Sequence, residues 1–190
     1  MRIIATKQQH STKWSGGTTT ELFIYPHDSS YTNRDFLFRI STATVESETS
    51  TFTSLPGFQR ILMILKESLI IHHKDHPSQT LHPFDTHRFD GAWETSAIGK
   101  VTDFNVMMAS GVNGDCAHQS LQAHQTLSIT VESIFYGIYW LKGSALLDNE
   151  HIQYPVQVHD FILLSKDQNL HIMPHETCEW VYVKLDLHTL

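Results

Sequence analysis

The chain has 190 residues and a mass of 21.8 kDa, with 13 Lys and Arg against 20 Asp and Glu and a formal net charge of −7. A hydrophobic fraction of 41% with 17% charged residues excludes a disordered chain, and the acidic balance excludes a protein that grips nucleic-acid phosphates, which takes a Lys and Arg excess. The longest apolar run, residues 134–141, falls far short of the ~18 residues of a membrane helix, and residues 1–14 hold no apolar stretch of the signal-peptide kind.

Short runs rich in Thr, Ser, Val, Ile and aromatics, broken by Gly, Pro, Asn or Asp, predict an almost wholly β chain. In chain order the expected strands are 2–6, 20–25, 36–46, 61–65, 68–72, 93–98, 103–109, 126–131, 135–141, 161–164, 170–173 and 179–185. Segment 60–73 alone has helical character. Lys66-Glu67-Ser68 splits it into two runs of strand length, so a hairpin is expected there. Shifting the chain by 76 positions lays Leu65-Lys66-Glu67-Ser68 on Leu141-Lys142-Gly143-Ser144 and Ile70-Ile71 on Leu146-Leu147. The same shift lays Asp103-Phe104 on Glu179-Trp180. That period is too long for a solenoid or propeller blade and implies one duplicated β domain, with enough short strands per copy for a jelly roll or sandwich. Gly143 frees a turn to adopt positive φ where the first copy has Glu67. The expected lobes are 1–110 and 111–190, divided at the turn-rich Ser110-Gly111-Val112-Asn113-Gly114-Asp115. No segment has linker composition, so the lobes are expected to form one compact unit.

Two distant cysteines, Cys116 and Cys178, in no CxxC spacing suit a reduced compartment. A soluble cytoplasmic protein is therefore expected. The 14 histidines are the compositional oddity; protonating all of them would turn the formal charge from −7 to +7, as a pH sensor or metal buffer would require. Scattered surface and turn histidine is the plainer reading. A jelly-roll metal site needs two histidines at i and i+2 on one strand, and no such pair exists. His72 and His73 point to opposite faces, His171 and His175 straddle Pro174, and HExxH is absent. No metal and no cofactor is expected. GxSxG is missing, and Gly16-Gly17 lacks the rest of a phosphate-binding GxxxxGK[ST], so it reads as a turn.

In segment 36–46, Leu37, Arg39, Ser41, Ala43 and Val45 share one face, and Phe38 and Ile40 the other. Arg39 among such neighbours needs an anionic partner, either a protein carboxylate or a ligand carboxylate. Asp103 and Asn105 share a face of an otherwise apolar strand; they either line a cavity or complete a buried network. Arg60, after Pro56-Gly57, shares a face with Leu62 and Ile64 and is either a second inward cation or a strand-end charge.

Trp14-Ser15-Gly16-Gly17-Thr18-Thr19-Thr20-Glu21 is followed by Phe38-Arg39-Ile40-Ser41-Thr42-Ala43-Thr44-Val45-Glu46. Phe52, Leu55-Pro56-Gly57, Arg60, Leu62, Phe89-Asp90-Gly91 and Asp103-Phe104-Asn105-Val106-Met107 continue the series. Together these residues resemble the HutD/Ves family. The resemblance implies an all-β bicupin: two fused small jelly-roll barrels with little helix, lacking the usual metal ligands. It also implies a link to histidine utilisation, as a regulator rather than a catalyst. Carried over, the pocket set is Trp14, Gly17, Thr19, Glu21, Arg39, Ser41, Glu46, Arg60, Asp90 and Asn105. The expected partner is a small anionic metabolite in the N-terminal lobe. Arg39 would anchor it, Ser41 and Asn105 would donate hydrogen bonds, and Trp14 would form a wall or lid. No nucleic acid or membrane is expected, and a homodimer is possible. The rival is a metal-free isomerase or lyase with Glu21 or Glu46 as general base. A third class, a protein-binding module, lacks the large apolar stripe it would need.

Overall fold

The computed structural model describes residues 1–187. In chain order the strands are β1 (Arg2–Ile4), β2 (His10–Trp14), β3 (Gly17–Tyr25), β4 (Phe38–Val45), β5 (Thr49–Thr51), β6 (Phe58–Lys66), β7 (Leu69–His73), β8 (Gln79–Leu81), β9 (Thr86–Asp90) and β10 (Thr95–Ile98). They continue as β11 (Thr102–Ala109), β12 (Val112–Leu121), β13 (Leu127–Thr130), β14 (Phe135–Lys142), β15 (Ala145–Asn149), β16 (Ile152–Val156), β17 (Phe161–Ser165), β18 (Asn169–Pro174) and β19 (Cys178–Leu187). One turn of 3-10 helix, Thr6–Gln8, is the only helix among the described residues, and no helix is long and apolar enough to cross a membrane. Every expected strand forms. Seven more escape the periodicity, β2 among them, because His10-Ser11-Thr12-Lys13-Trp14 is exposed along its whole length and so shows no alternation.

The chain divides into two units. One is His10–Val112, and the other joins Met1–Gln9 to the residues from Asn113 on. The expected first lobe thus differs at its start, because β1 pairs with β17 through Arg2↔Leu163, Ile3↔Ile162 and Ile4↔Phe161. Nor is 110–115 a loop. Gly111, at φ 86°, makes the turn after β11, and β12 starts at Val112 and runs through Asn113-Gly114-Asp115.

Within the His10–Val112 unit a six-stranded sheet, β2-β3-β4-β11-β6-β9, accompanies a four-stranded one, β5-β10-β7-β8. The core draws alternate residues from both: Leu62 and Ile64 from β6, Leu69 and Ile71 from β7, Ala97 from β10. The expected hairpin at Lys66 is therefore a corner between sheets. β6 bonds to β11 and β9, and β7 to β10 and β8. The tight turn has Glu67 at φ 65°. Crossing lets the apolar face of each run meet the other across the core; a flat hairpin would align both faces on one sheet.

The other unit repeats the scheme, with sheets β1-β17-β14-β19-β12 and β13-β18-β15-β16. Its corner between β14 and β15 has Gly143 at φ 79°, matching Glu67. The shift of 76 carries Leu69–His73 onto Ala145–Asn149. It fails by one residue on the last strand, since Asp103 pairs with Ile64 while Trp180 pairs with Trp140. The counterpart of Asp103 is thus Trp180 and not Glu179. A one-residue slip exchanges the two faces of a strand.

Candidate functional site

Strand register assembles the inner face of the six-stranded sheet in three rows. Arg39 on β4, Met107 on β11 and Arg60 on β6 form one. Glu21, Ser41, Asn105 and Leu62 form the second, and Thr12, Thr19, Ala43, Asp103 and Ile64 the third. A β-bulge between Glu21 and Phe23 lets β3 present Glu21 to this face and still bury the residues after it. Over the rows lies a cavity of about 590 Å³, walled by Tyr31 from the loop after β3 and by Ser50, Thr51 and Phe52 at the end of β5. Trp14 stands at its edge, 39% exposed, with its Nε1 donating to Thr19 Oγ1 at 3.2 Å.

The two arginines differ. Arg39 Nε donates to Glu21 Oε2 at 2.7 Å and Nη1 to Ser41 Oγ at 3.3 Å. Its guanidinium carbon lies 4.7 Å from the Tyr31 ring centre. The anionic partner that Arg39 requires is the protein's own Glu21, the first of the two alternatives that its strand face left open. Arg60 is 4% exposed and rests over Phe52 at 4.9 Å and Phe89 at 5.2 Å. It has no ion pair within 4.0 Å among the described residues, and its Nε has no hydrogen-bond partner. Burial lowers its pKa to about 10, against the raising influence of Tyr31 and Asp103.

Asp103 is equally deep. Burial raises its carboxyl to about 7, opposed by the charge of Arg60 and a hydrogen bond from the Ala43 backbone N–H. Asp103 Oδ1 and Asn105 Oδ1 are both buried and unpartnered. An unsatisfied buried polar atom costs roughly 1–3 kcal/mol, and native interiors hold few of them. Three such atoms, Arg60 Nε, Asp103 Oδ1 and Asn105 Oδ1, belong to residues that line the cavity.

Of the residues expected at the pocket, Trp14, Thr19, Glu21, Arg39, Ser41, Arg60 and Asn105 line the cavity. Gly17, Glu46 and Asp90 do not. Gly17 holds β3 against β4, since a Cβ there would collide with the Thr44 carbonyl oxygen. Glu46 is exposed just past β4, which removes it as a general base for this cavity. Asp90 caps a turn, its Oδ1 accepting from the Ala92 N–H at 2.8 Å. Asp103 belongs with the lining residues; sharing a face with Asn105 was the signal for it. Tyr31 and Phe52 come from irregular segments, where no alternation points to them. Among the described residues no three His, Cys, Asp or Glu side chains converge as a metal-ligand set.

The HutD family model matches residues 6–181. Among solved structures the chain is similar to the conserved protein of unknown function PA5104 from Pseudomonas aeruginosa PAO1. Identity is 21% and the TM-score 0.80, covering 97% of this chain and 98% of that one. It is similar to HutD from Pseudomonas fluorescens SBW25, solved in a formate condition, at 16% identity and TM-score 0.72 over 99% of both chains. Bacillus subtilis oxalate decarboxylase, a protein with Mn(II) centres, shares the fold at 7% identity and TM-score 0.76, covering 99% of this chain and 78% of that one. No curated protein sequence matches the chain.

Proposed function

The chain belongs to the HutD family, and from that premise we propose that it is a non-enzymatic regulator linked to histidine utilisation, binding a small anionic metabolite in the cavity of its His10–Val112 unit. The observation that carries this reading is Arg60, a buried guanidinium with an unpartnered Nε and no ion pair among the described residues. A guanidinium fork suits a carboxylate, which it meets with two parallel hydrogen bonds. Phe52 and Phe89 beneath it keep water away, which strengthens such a contact. Arg39, compensated by Glu21, shapes the wall beside Ser41. The rival isomerase or lyase reading retains only Glu21 as its base, and Glu21 Oε2 already accepts from Arg39 Nε, which favours binding over proton abstraction. Cys116 and Cys178 form no disulfide, in keeping with a cytoplasmic location.

A melting screen over small carboxylic acids and histidine-pathway intermediates tests the proposal. One or more acids should raise the Tm of the wild type. Arg60→Met should abolish that rise while leaving the unliganded protein as stable or more so, because it removes a desolvated cation with no ion-pair partner. Equal rises in wild type and variant would remove Arg60 from the anchoring role.

A further inference from the structure

We propose that Asp103 is the proton-carrying contact of this cavity, so that the site takes up its anionic ligand together with one proton. The inference rests on the reading of the cavity as an anion site and adds the condition under which it fills.

The geometry comes first. Asp103 lies in the floor row between Ala43 and Ile64, 5% exposed. The Ala43 N–H serves its carboxyl group, yet Oδ1 meets no donor. Arg60, whose charge reaches it through space, makes no ion pair with it within 4.0 Å. An ionised carboxylate so placed would be buried with one oxygen bare. A carboxylic acid with the proton on Oδ1 would be a buried donor without an acceptor among the described residues, on a residue that lines the cavity. Burial brings the two forms to comparable populations near neutrality, with the carboxyl raised to about 7.

Each form meets an incoming carboxylate differently. The acid donates Oδ1–H to a ligand oxygen, while Arg60 supplies N–H donors and positive charge. The carboxylate form sets a negative charge against the ligand in a low-dielectric space, where like charges repel strongly. Binding therefore draws one proton from solvent onto Asp103 Oδ1, and the ligand enters as the anion with no bond made or broken in it. The other titratable groups facing the cavity are few. Glu21 on β3 and Arg39 on β4 compensate each other, Arg60 comes from β6 and Tyr31 from the loop after β3. His10 on β2 lies at the exposed edge, and the β5 side contributes Ser50, Thr51, Phe52 and Thr53, none of them titratable.

Acetate, fully ionised above pH ~5.8, is the probe, titrated into the whole protein from pH 6 to 8.5 and followed by the Arg60 Nε–H resonance. The wild-type affinity should fall towards tenfold per pH unit above the Asp103 pKa, with about one proton taken up per acetate at pH 8. Asp103→Asn, which keeps a neutral donor at this position, should bind with an affinity that no longer depends on pH. In the wild type itself the Asp103 carboxyl carbon should titrate near neutrality without acetate and at higher pH with it, by reciprocity of linkage. Saturable acetate binding with a flat pH profile would overturn the proton coupling alone. A slope that persists in Asp103→Asn would assign the proton to another group, with His10 the first to examine. No acetate binding at any pH would overturn the anion-site reading and this inference together.

Discussion

Arg39 and Arg60 look alike in sequence, each an arginine alternating with apolar residues along a strand. What separates them is Glu21, eighteen residues from Arg39 and bonded to it. The pairing has a measurable consequence. Removing one member of an ion pair strands the other, at ~3–5 kcal/mol when fully buried and far less when exposed. The Glu21 side chain keeps 27% of its exposure, so Arg39→Met should cost about 1–3 kcal/mol in urea unfolding. Adding Glu21→Gln should recover most of that loss. A double variant as unstable as the single one would mean that packing against Tyr31, and not charge, is what Arg39 supplies. That an inward cation needs a partner was legible from the two-residue period of its strand. Which partner it finds was not, because cross-strand register depends on the bulge after Glu21, and nothing local in the sequence announces a bulge.

At the level of elements, sequence shows where a strand stops and says little about which sheet the next one joins. Lys66-Glu67-Ser68 reads as a hairpin turn and proves to be a crossing between sheets. The two sheets of the His10–Val112 unit are also tied by side chains. His73 on β7 approaches His87 on β9, Nε2 to Nε2, at 2.8 Å, and its Nδ1 lies 2.7 Å from Thr95 Oγ1. Thr95 Oγ1 donates to the Trp93 carbonyl, so it accepts from Nδ1–H. With His73 neutral, its Nε2 accepts from His87 Nε2–H. Burial, then the neighbouring His87, lowers its pKa to about 4. A base held neutral by the fold binds fewer protons than in the unfolded chain, so its contribution is present above the ordinary histidine value of ~6.5 and is lost as pH falls towards 4. Asp103, with its raised value, slopes the opposite way over much of the same range. Comparison with His73→Phe isolates the histidine. The variant should be less stable at pH 7, and its stability should decline less between pH 6.5 and 4. An equally steep decline in both proteins would place the acid sensitivity elsewhere. His72 and His73 on opposite faces were legible from the strand period; the union with His87 is a contact between strands of different sheets and leaves no local trace.

For the molecule as a whole, duplication was legible in the echo at 76 positions, and it shows what the second copy places where the first has the cavity floor. Register equates Arg60, Asp103 and Asn105 with Tyr136, Trp180 and Tyr182. Where the first copy has charged and amide side chains, the second has aromatic rings: Trp180 stacks on Trp140 at 5.4 Å between centroids, and Tyr136 on Tyr182 at 5.8 Å. The single-residue slip that aligns Asp103 with Trp180 hid this exchange, since reading Glu179 in its place suggests a second carboxylate on the wrong face.

The seating of β1 against β17 has a consequence for the order of events during synthesis. A growing chain is released N-terminus first, yet residues 2–4 must wait for residues 161–163 before they can pair. The span 10–112 needs nothing made after it to complete its own two sheets. The earliest residues to emerge are thus among the last to settle, and they seal an edge that belongs to the latest. Deleting residues 1–9 should accordingly lower the melting point of the unit that begins at Asn113 and spare the cavity of the other. A heating experiment should separate the two: tryptophan fluorescence of Trp140 and Trp180 changing early, with the Arg60 Nε–H resonance persisting to higher temperature. Simultaneous loss of both signals would show that the deletion weakens the whole chain.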